Sequence, residues 1–300
     1  MALPNTPHEL KGRRVLVVGL ARTGVAVAEF CAGRRALVTV TDRKPAAALA
    51  AEVAELRGRA RLELGGHQAA TFLQADLIVI SPGVPEIAEV AAARAAGIVV
   101  TGEIELAASF VRAPIVGITG TNGKSTVTSL VGAILAATGR PTFAGGNLGD
   151  PLIAAVDTPA AGPGGHLVVE LSSFQLETCD ALRPAVAALL NVTPDHLDRY
   201  PTMDAYVAAK GRIFQAQEPA DFAVSNADDP VAWELAGRGR ARRLGFSSTR
   251  PLPEGGWLEG ADLCVRLPGG AVERYPSGEL HLVGRHNLEN ALAAFLCARL

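Results

Sequence analysis

The sequence Gly-Ile-Thr-Gly-Thr-Asn-Gly-Lys-Ser-Thr occupies residues 117–126 and has the composition of a phosphate-binding turn. The apolar run 114–116 before it predicts a buried strand, and residues 125–138 place apolar side chains at helical spacing. In such a strand–turn–helix unit, backbone N–H groups and the positive end of the helix face the phosphates. A lysine reaches the outer phosphates and a hydroxyl takes Mg²⁺. The stretch therefore predicts an ATP site served by Lys124 and Ser125.

The spacing of this turn departs from the common phosphate-loop pattern, which has four residues between its first glycine and the Gly-Lys pair. Here five residues separate Gly117 from Gly123, so the tighter turn 120–123 would wrap the phosphates. An incidental glycine-rich turn is the alternative. Lys124 and Ser125 favour the ATP site, because they stand where the mechanism needs a cation and a hydroxyl.

Composition excludes several classes of protein. The 300 residues are enough for about two domains. The 28 basic and 30 acidic residues nearly cancel, which leaves no charge signal for nucleic acid or a membrane surface. Four scattered cysteines are typical of a reducing compartment. Because we find no basic-then-apolar leader and no long apolar run, we expect a cytoplasmic protein that does not enter a membrane.

Strands alternate with helices over residues 13–101, which predicts a parallel sheet with ligands at the carboxyl ends of its strands. We expect an α/β protein with a Rossmann-like parallel-sheet domain at residues 1–102. A central, P-loop ATPase-like α/β domain would follow at residues 103–300.

The first glycine-rich turn, residues 19–24, resembles a dinucleotide fingerprint in which Ala21 replaces the second glycine. That glycine normally lets the backbone approach a pyrophosphate closely. Asp42 closes the second strand, where a carboxylate can accept hydrogen bonds from a ribose or base. A redox cofactor, a purely structural turn and a nucleotide ligand of another kind all remain open.

Two further positions suggest metal chemistry. Glu170 ends the apolar strand 167–171, where a nucleotide enzyme holds Mg²⁺ directly or through water. A charge at the start of the next helix is the alternative for Glu170. His196 stands between Asp195 and Asp198 at the end of another strand, which favours a metal or phosphate contact over a structural histidine.

Other candidates have a plain structural interpretation. Thr202 is expected to cap a helix in which Lys210, on composition alone, is an ordinary solvent-facing residue. Asn287 and Asn290 are three residues apart and share one face of the last helix, whose start Asn287 would cap in the structural alternative.

Three motifs together resemble the ATP-dependent Mur ligases of peptidoglycan synthesis. The stretch 120–126 marks that superfamily, which includes folylpolyglutamate synthase. The sequences Glu-Leu-Ser-Ser-Phe-Gln-Leu-Glu at 170–177 and Asn-Val-Thr-Pro-Asp-His-Leu-Asp-Arg-Tyr at 191–200 look like those of the branch that adds D-glutamate. The resemblance covers essentially the whole chain.

The resemblance implies a role for each matching residue. The residues that would bind ATP are Gly120, Thr121, Asn122, Gly123, Lys124, Ser125, Thr126, Asn287 and Asn290. Those that would hold two Mg²⁺ ions are Ser125, Glu170, His196 and Lys210. Lys124, His196 and Lys210 would be catalytic, with Lys210 carbamylated by CO₂ into a carboxylate-like metal ligand. The residues that would contact the UDP-linked substrate are Arg22, Thr23, Asp42, Arg43, Ser81, Gly83, Asn147 and His196.

The activity implied by this resemblance is ATP-driven amide formation between UDP-N-acetylmuramoyl-L-alanine and D-glutamate through an acyl phosphate, performed by a monomer without nucleic-acid partners. The family also has a third, C-terminal domain, which we expect to be absent here, so that these 300 residues alone would not complete the ligation. The alternatives are another amide ligase of the superfamily, a nucleotide-dependent dehydrogenase and a non-catalytic nucleotide switch.

Overall fold

The computed structural model describes residues 3–195, 199–280 and 284–300, without the side chains of Pro7 and Glu279. The chain divides into two compact units. The first contains Met1–Val111 and Pro151–Asp157, and the second contains Arg112–Asp150 and Thr158–Leu300. Within the described residues, no helix is long and apolar enough to cross a membrane.

The first unit is built on a parallel sheet, as the alternating pattern predicts. Its described strands are β1 (Arg14–Val18), β2 (Leu37–Asp42), β3 (Arg61–Leu64), β4 (Leu77–Ile80) and β5 (Val99–Gly102). They lie in the order β3-β2-β1-β4-β5, with all neighbours parallel. The order reverses between β1 and β4, so the loops after these two strands open a crevice at the sheet's carboxyl edge.

The helices of this unit cover the sheet. The described ones are α1 (Pro7–Leu10), α2 (Arg22–Gly33), α3 (Ala50–Glu55), α4 (Ala69–Gln74), α5 (Ala88–Ala95) and α6 (Glu103–Ala108), with 3₁₀ turns at Ala46–Leu49 and Leu152–Ala155. Leu16 and Ile78 of the sheet pack with Phe72 of α4 and Val90 of α5 in a fully buried core. Helix α6 also belongs to the first unit, so this unit includes residues beyond position 103, where the sequence predicts a domain boundary. The functional boundary between the two domains stays a prediction.

The second unit holds a larger, mixed sheet. Its described strands are β6 (Ile115–Thr119), β7 (Thr142–Gly146), β8 (His166–Glu170), β9 (Val186–Leu189), β10 (Phe222–Asn226), β11 (Arg242–Ser247), β12 (Gly255–Glu259), β13 (Asp262–Arg266) and β14 (Val272–Pro276). Their order is β14-β13-β12-β11-β10-β9-β6-β8-β7, parallel from β7 to β12 and antiparallel for the last two pairs. Since β8 and β9 flank β6, the loops after these three strands meet at one edge.

Helices complete this unit. The described ones are α7 (Lys124–Ala136), α8 (Ser173–Leu176), α9 (Met203–Gly211), α10 (Pro230–Ala236) and α11 (Arg285–Arg299), with 3₁₀ turns at Pro159–Ala161, Arg212–Phe214 and Ser277–Glu279. Val127 and Val131 of α7 and Leu292 of α11 are buried in one core with the sheet. Thr202 caps α9 as expected, because its Oγ1 accepts a hydrogen bond from the N–H of Ala205 at 3.2 Å.

Candidate functional site

The turn between β6 and α7 requires its glycines. Gly120 and Gly123 have positive φ angles of 158° and 85°. A Cβ on Gly120 would lie 3.0 Å from the Cβ of Leu190, and one on Gly123 would lie 2.3 Å from Oδ1 of Asn290. Side chains at these positions would be both strained and crowded. The backbone therefore holds the N-terminus of α7 open in the way that a phosphate-binding turn needs.

An amide side chain from the next strand fixes this turn. Asn191, directly after β9, accepts hydrogen bonds from the N–H groups of Thr121 (3.1 Å) and Asn122 (2.8 Å) through its Oδ1. Its Nδ2 donates to the carbonyl of Asn122 at 3.0 Å. The sequence reasoning did not single out Asn191 as a functional residue. Its place at the carboxyl end of a buried strand was the available signal.

Two lysines meet at the carbonyl oxygen of Gly120. Lys124 Nζ donates to this oxygen at 3.1 Å and to the carbonyl of Thr121 at 2.9 Å. Lys210 Nζ donates to the Gly120 carbonyl at 2.8 Å. Lys210 is 2% exposed, so the prediction from composition that it faces solvent is wrong. Helical spacing in α9 could not show that another loop covers this face.

Burial controls the charge of Lys210. Desolvation, helped by the neighbouring charge of Lys124, lowers the pKa of its ammonium from 10.5 to about 7, and Asp195 opposes the shift. The Tyr206 ring lies 4.6 Å from Lys210 Nζ. A buried lysine with a lowered pKa, beside a second cation, is the kind of group found at functional sites.

A carboxylate stands opposite the start of α7. Glu170 is 2% exposed; its Oε2 accepts from Ser125 Oγ at 2.7 Å and its Oε1 accepts from Asn147 Nδ2 at 2.7 Å. The structure weakens the alternative in which Glu170 serves the next helix, because Ser172 caps α8 through a reciprocal capping box with Gln175. The structure thus brings together three residues that the sequence predicted for the site, Ser125, Asn147 and Glu170.

The oxygen atoms of this cluster suit Mg²⁺, which usually takes one or two carboxylates together with water and substrate phosphates. No group of three or more His, Cys, Asp or Glu side chains forms a metal site within the part of the chain that the structure describes. Glu170 and Ser125 lie close enough together for one Mg²⁺ ion to use both with phosphate oxygens. The predicted ligand His196 lies outside the described residues.

The last helix contributes one amide to the turn. Asn290 is 3% exposed and packs against Gly123, and its Nδ2 has no hydrogen-bond partner within the described residues. A buried donor beside the phosphate turn fits an acceptor atom of a nucleotide. Asn287 is the third residue of α11, whose N-cap is Gly284, so the structural alternative in which Asn287 caps this helix is wrong. Thr126 lies in the first turn of α7.

The first unit has its own pocket of about 640 Å³ at the carboxyl ends of β1, β2 and β4. The predicted substrate residues that line it are Asp42, Arg43, Ser81 and Gly83. Arg22 and Thr23 begin α2 and are not among the residues that line this pocket. Their contact with a substrate, like that of Asn147 in the second unit, stays a prediction.

Comparison with known proteins identifies the family to which the chain belongs. Residues 118–298 match the model of the Mur ligase middle domain, and residues 13–102 match that of the Mur ligase MurD-like N-terminal domain. The chain belongs to the Mur ligase family. This confirms the resemblance seen in the three sequence motifs and the predicted α/β fold class.

Curated relatives are about half identical to this chain over the region that aligns with it. The UDP-N-acetylmuramoylalanine–D-glutamate ligase of Anaeromyxobacter dehalogenans is 54% identical over 97% of this chain and 64% of its own length. The ligase of the same name from Pelobacter propionicus is 50% identical over 97% of this chain and 65% of its own length. The chain thus spans somewhat less than two thirds of these relatives.

A solved structure shows the same fold at low sequence identity. The UDP-N-acetylmuramate:L-alanyl-gamma-D-glutamyl-meso-diaminopimelate ligase of Neisseria meningitides superposes with a TM-score of 0.62 at 19% identity, over 96% of this chain and 93% of that one. The pairing of a Rossmann-like unit with a P-loop unit is therefore shared with an experimental structure.

Proposed function

We propose that this chain provides the two nucleotide-binding domains of an ATP-dependent amide ligase that joins D-glutamate to UDP-N-acetylmuramoyl-L-alanine. The observation that carries this proposal is the cluster around the turn 120–123, where Lys124, Lys210 and the pair Ser125–Glu170 surround one phosphate-binding backbone. The names of the relatives at 54% and 50% identity support the choice of substrates.

In this proposal, the turn and Lys124 hold the triphosphate of ATP. Lys124 now donates to two carbonyl oxygens of its own turn, and these contacts are exchanged for phosphate oxygens when the nucleotide binds. Ser125 and Glu170 would hold Mg²⁺, which supplies positive charge to the β- and γ-phosphates. Asn290 offers its unpaired amide to the nucleotide.

The proposed reaction has two stages. The L-alanine carboxylate of the UDP-linked substrate takes the γ-phosphoryl group of ATP, giving an acyl phosphate and ADP. The amine of D-glutamate then attacks the acyl carbon, and phosphate leaves as the amide forms. Lys124 counters the repulsion between carboxylate and triphosphate, so most of its contribution is positioning and electrostatic stabilisation.

We also propose that Lys210 is carbamylated. Its neutral Nζ would attack the carbon of CO₂, an N–C bond would form, one C–O π bond would open to an oxyanion, and the nitrogen would release a proton. The product replaces a cation beside Lys124 with an anion, which turns a repulsion into an attraction. With ¹³C-bicarbonate, a carbamate signal should appear by NMR in the wild type and in Lys11→Met and be missing in Lys210→Met. A wild type without the signal would contradict the modification.

Ligand-induced stabilisation tests the choice of substrate, since a ligand that binds only the native state raises the melting temperature. UDP-N-acetylmuramoyl-L-alanine should stabilise the chain more than longer muropeptides or folates. A larger shift with folates would favour a folylpolyglutamate synthase-like ligase, and one with longer muropeptides another Mur ligase. Stabilisation by NAD would favour the dehydrogenase.

Because the matched relatives are longer, we expect residues 1–300 to bind both nucleotides without turning over D-glutamate, and turnover would contradict this.

A further inference from the structure

The pocket of the first unit contains a histidine to which the sequence reasoning assigned no role. His67 lines the cavity together with Asp42, Ser81 and Gly83. It follows the pair Gly65–Gly66, whose φ angles are 87° and 151°. The N–H of Gly65 donates to the carbonyls of Asp42 (3.0 Å) and Lys44 (2.9 Å). This turn therefore brings His67 to the carboxyl end of β2.

Two predicted substrate residues of the pocket already make hydrogen bonds that shape it. Asp42 accepts from the N–H of Leu20 through Oδ2 and from the N–H of Lys44 through Oδ1, both at 2.8 Å. Ser81 Oγ donates to the carbonyl of Gly19 at 3.0 Å. These hydrogen bonds hold the loops around the cavity. A side chain whose polar atom has no hydrogen-bond partner is therefore better placed to bind the ligand and determine specificity.

His67 has such an atom. Its Nδ1 lies 2.9 Å from Oγ1 of the fully buried Thr41, and its ring stands edge-on to buried Phe72 with centroids 5.8 Å apart and planes at 83°. These contacts fix the ring. Within the described residues Nε2 has no hydrogen-bond partner, and it points away from Thr41 because the two ring nitrogens diverge. A fixed imidazole thus presents one free nitrogen.

The position of His67 indicates which part of a nucleotide it meets. In a Rossmann-like unit, phosphates lie at the turn after the first strand, and the end of the second strand faces the ribose and base. His67 lies beside Thr41 and Asp42 at the end of β2, on the side of the pocket that this strand forms. We propose that His67, held by Thr41 and Phe72, is a specificity-determining residue that hydrogen-bonds the nucleoside part of a uridine diphosphate ligand. This inference rests on the proposed function.

Isothermal titration of the whole chain with UDP tests the inference. His67→Phe keeps an aromatic ring against Phe72 and removes Nε2, so UDP affinity should fall about tenfold, the value of one net hydrogen bond. His166→Phe, in the second unit, is the matched control and should bind UDP like the wild type. Melting curves establish that each variant is folded. His67→Ala, which adds no bulk to the cavity, repeats the measurement if His67→Phe does not fold.

Titrations with UDP, CDP and 2′-deoxy-UDP show which part of the nucleoside His67 contacts. If His67 contacts the base, its loss reduces the preference for UDP over CDP. If it contacts the ribose, the loss reduces the preference for UDP over 2′-deoxy-UDP. Either result supports the proposal. A folded His67 variant that binds UDP within twofold of wild type and keeps both preferences overturns the proposal alone. A wild-type chain that binds neither UDP nor UDP-N-acetylmuramoyl-L-alanine overturns the proposed function as well.

Discussion

The two glycine-rich turns of this chain have the same local topology and different binding chemistry. Each follows a buried strand and starts a helix, α2 in one unit and α7 in the other. The turn 120–123 carries Lys124 and receives Lys210 at the same carbonyl oxygen. Within the described residues, no such pair of lysines meets at a carbonyl oxygen of the turn 19–24, and the pocket beside it is lined by the carboxylate of Asp42 together with the cationic residues Arg43 and Lys44. We therefore propose that the turn 120–123 binds a triphosphate and that the pocket beside the turn 19–24 binds the UDP-linked substrate.

This difference shows that local charge, rather than net charge, identifies the partner of a site. The chain as a whole is nearly neutral. Yet Lys124 and Lys210 both donate to the carbonyl oxygen of Gly120, and the repulsion between them helps to lower the pKa of Lys210. In the first unit, Asp42 instead accepts two main-chain N–H groups and so serves the shape of the pocket.

Removing Lys124 is the strongest test of this comparison. Lys124→Ala should weaken ATP binding on the order of 100-fold, because losing one partner of a close charge pair costs about 3 kcal/mol. UDP affinity should not change, since the UDP pocket belongs to the other unit. Calorimetric titration with each nucleotide measures both, and Lys11→Ala serves as the exposed-lysine control. An equal loss of both affinities would show that the two sites are not independent.

Alanine substitution tests how closely the backbone packs in the turn 19–24. A Cβ on Gly24 would lie 2.0 Å from the carbonyl oxygen of Gly19, whereas one on Gly33, in the same helix, would touch nothing within 4 Å. Gly24→Ala should lower the free energy of unfolding by about 2 kcal/mol, the usual cost of an overpacked position. Gly33→Ala should raise it slightly through better helix propensity.

Hydrogen exchange can locate this effect in the chain. Both tryptophans, Trp233 and Trp257, lie in the second unit, so their fluorescence reports on that unit in urea titrations. Amide exchange in β1 and α2 reports on the first. Gly24→Ala should accelerate exchange in the first unit more than in the second. Equal stability of the two alanine variants would mean that the close approach of Gly24 to Gly19 has no energetic consequence.

The sequence predicted the parts of the fold that rest on strong local patterns. The strand–turn–helix around Lys124 and the parallel sheet of the first unit follow from apolar periodicity and glycine spacing. Strands β10 to β14 were not predicted. Segments such as Arg242–Ser247 and Val272–Pro276 mix charged residues with few apolar ones, and Phe222–Asn226 has a run of only three apolar residues. Their strand character depends on neighbours in the sheet.

Side chains that act through contacts distant in sequence were also hard to predict. Asn191 fixes a turn about 70 residues earlier in the chain, and Lys210 reaches Gly120, 90 residues away. Neither partner can be read from spacing along one helix or strand. Resemblance to the family identified Lys210, and only the three-dimensional structure identified Asn191 and the anchored His67.

Each unit contains a buried carboxylate, and the two differ in their hydrogen bonds. The resulting pH dependence of stability is the smallest of the predicted effects. Glu170 has hydrogen-bond donors on both oxygens. Glu103 is 1% exposed; its Oε1 accepts from the N–H of Ile153 at 2.7 Å, and its Oε2 has no partner within the described residues. Burial raises the pKa of Glu103 from 4.5 to about 7, and the hydrogen bond from Ile153 opposes the shift.

This pKa makes the first unit sensitive to pH in a definite direction. Between about pH 4.5 and pH 7, folded Glu103 keeps a proton that the unfolded chain has released, so the free energy of unfolding falls as the pH rises. Glu103→Gln retains an oxygen for Ile153 and does not titrate. Relative to this variant, the wild type should lose about 1 kcal/mol between pH 5 and pH 6, below the limit of about 1.4 kcal/mol per pH unit. Urea titrations at three pH values measure the difference, with exposed Glu55→Gln as the control. A difference that stays constant, or grows in favour of the wild type, would mean that Glu103 is ionised in the folded state throughout this range.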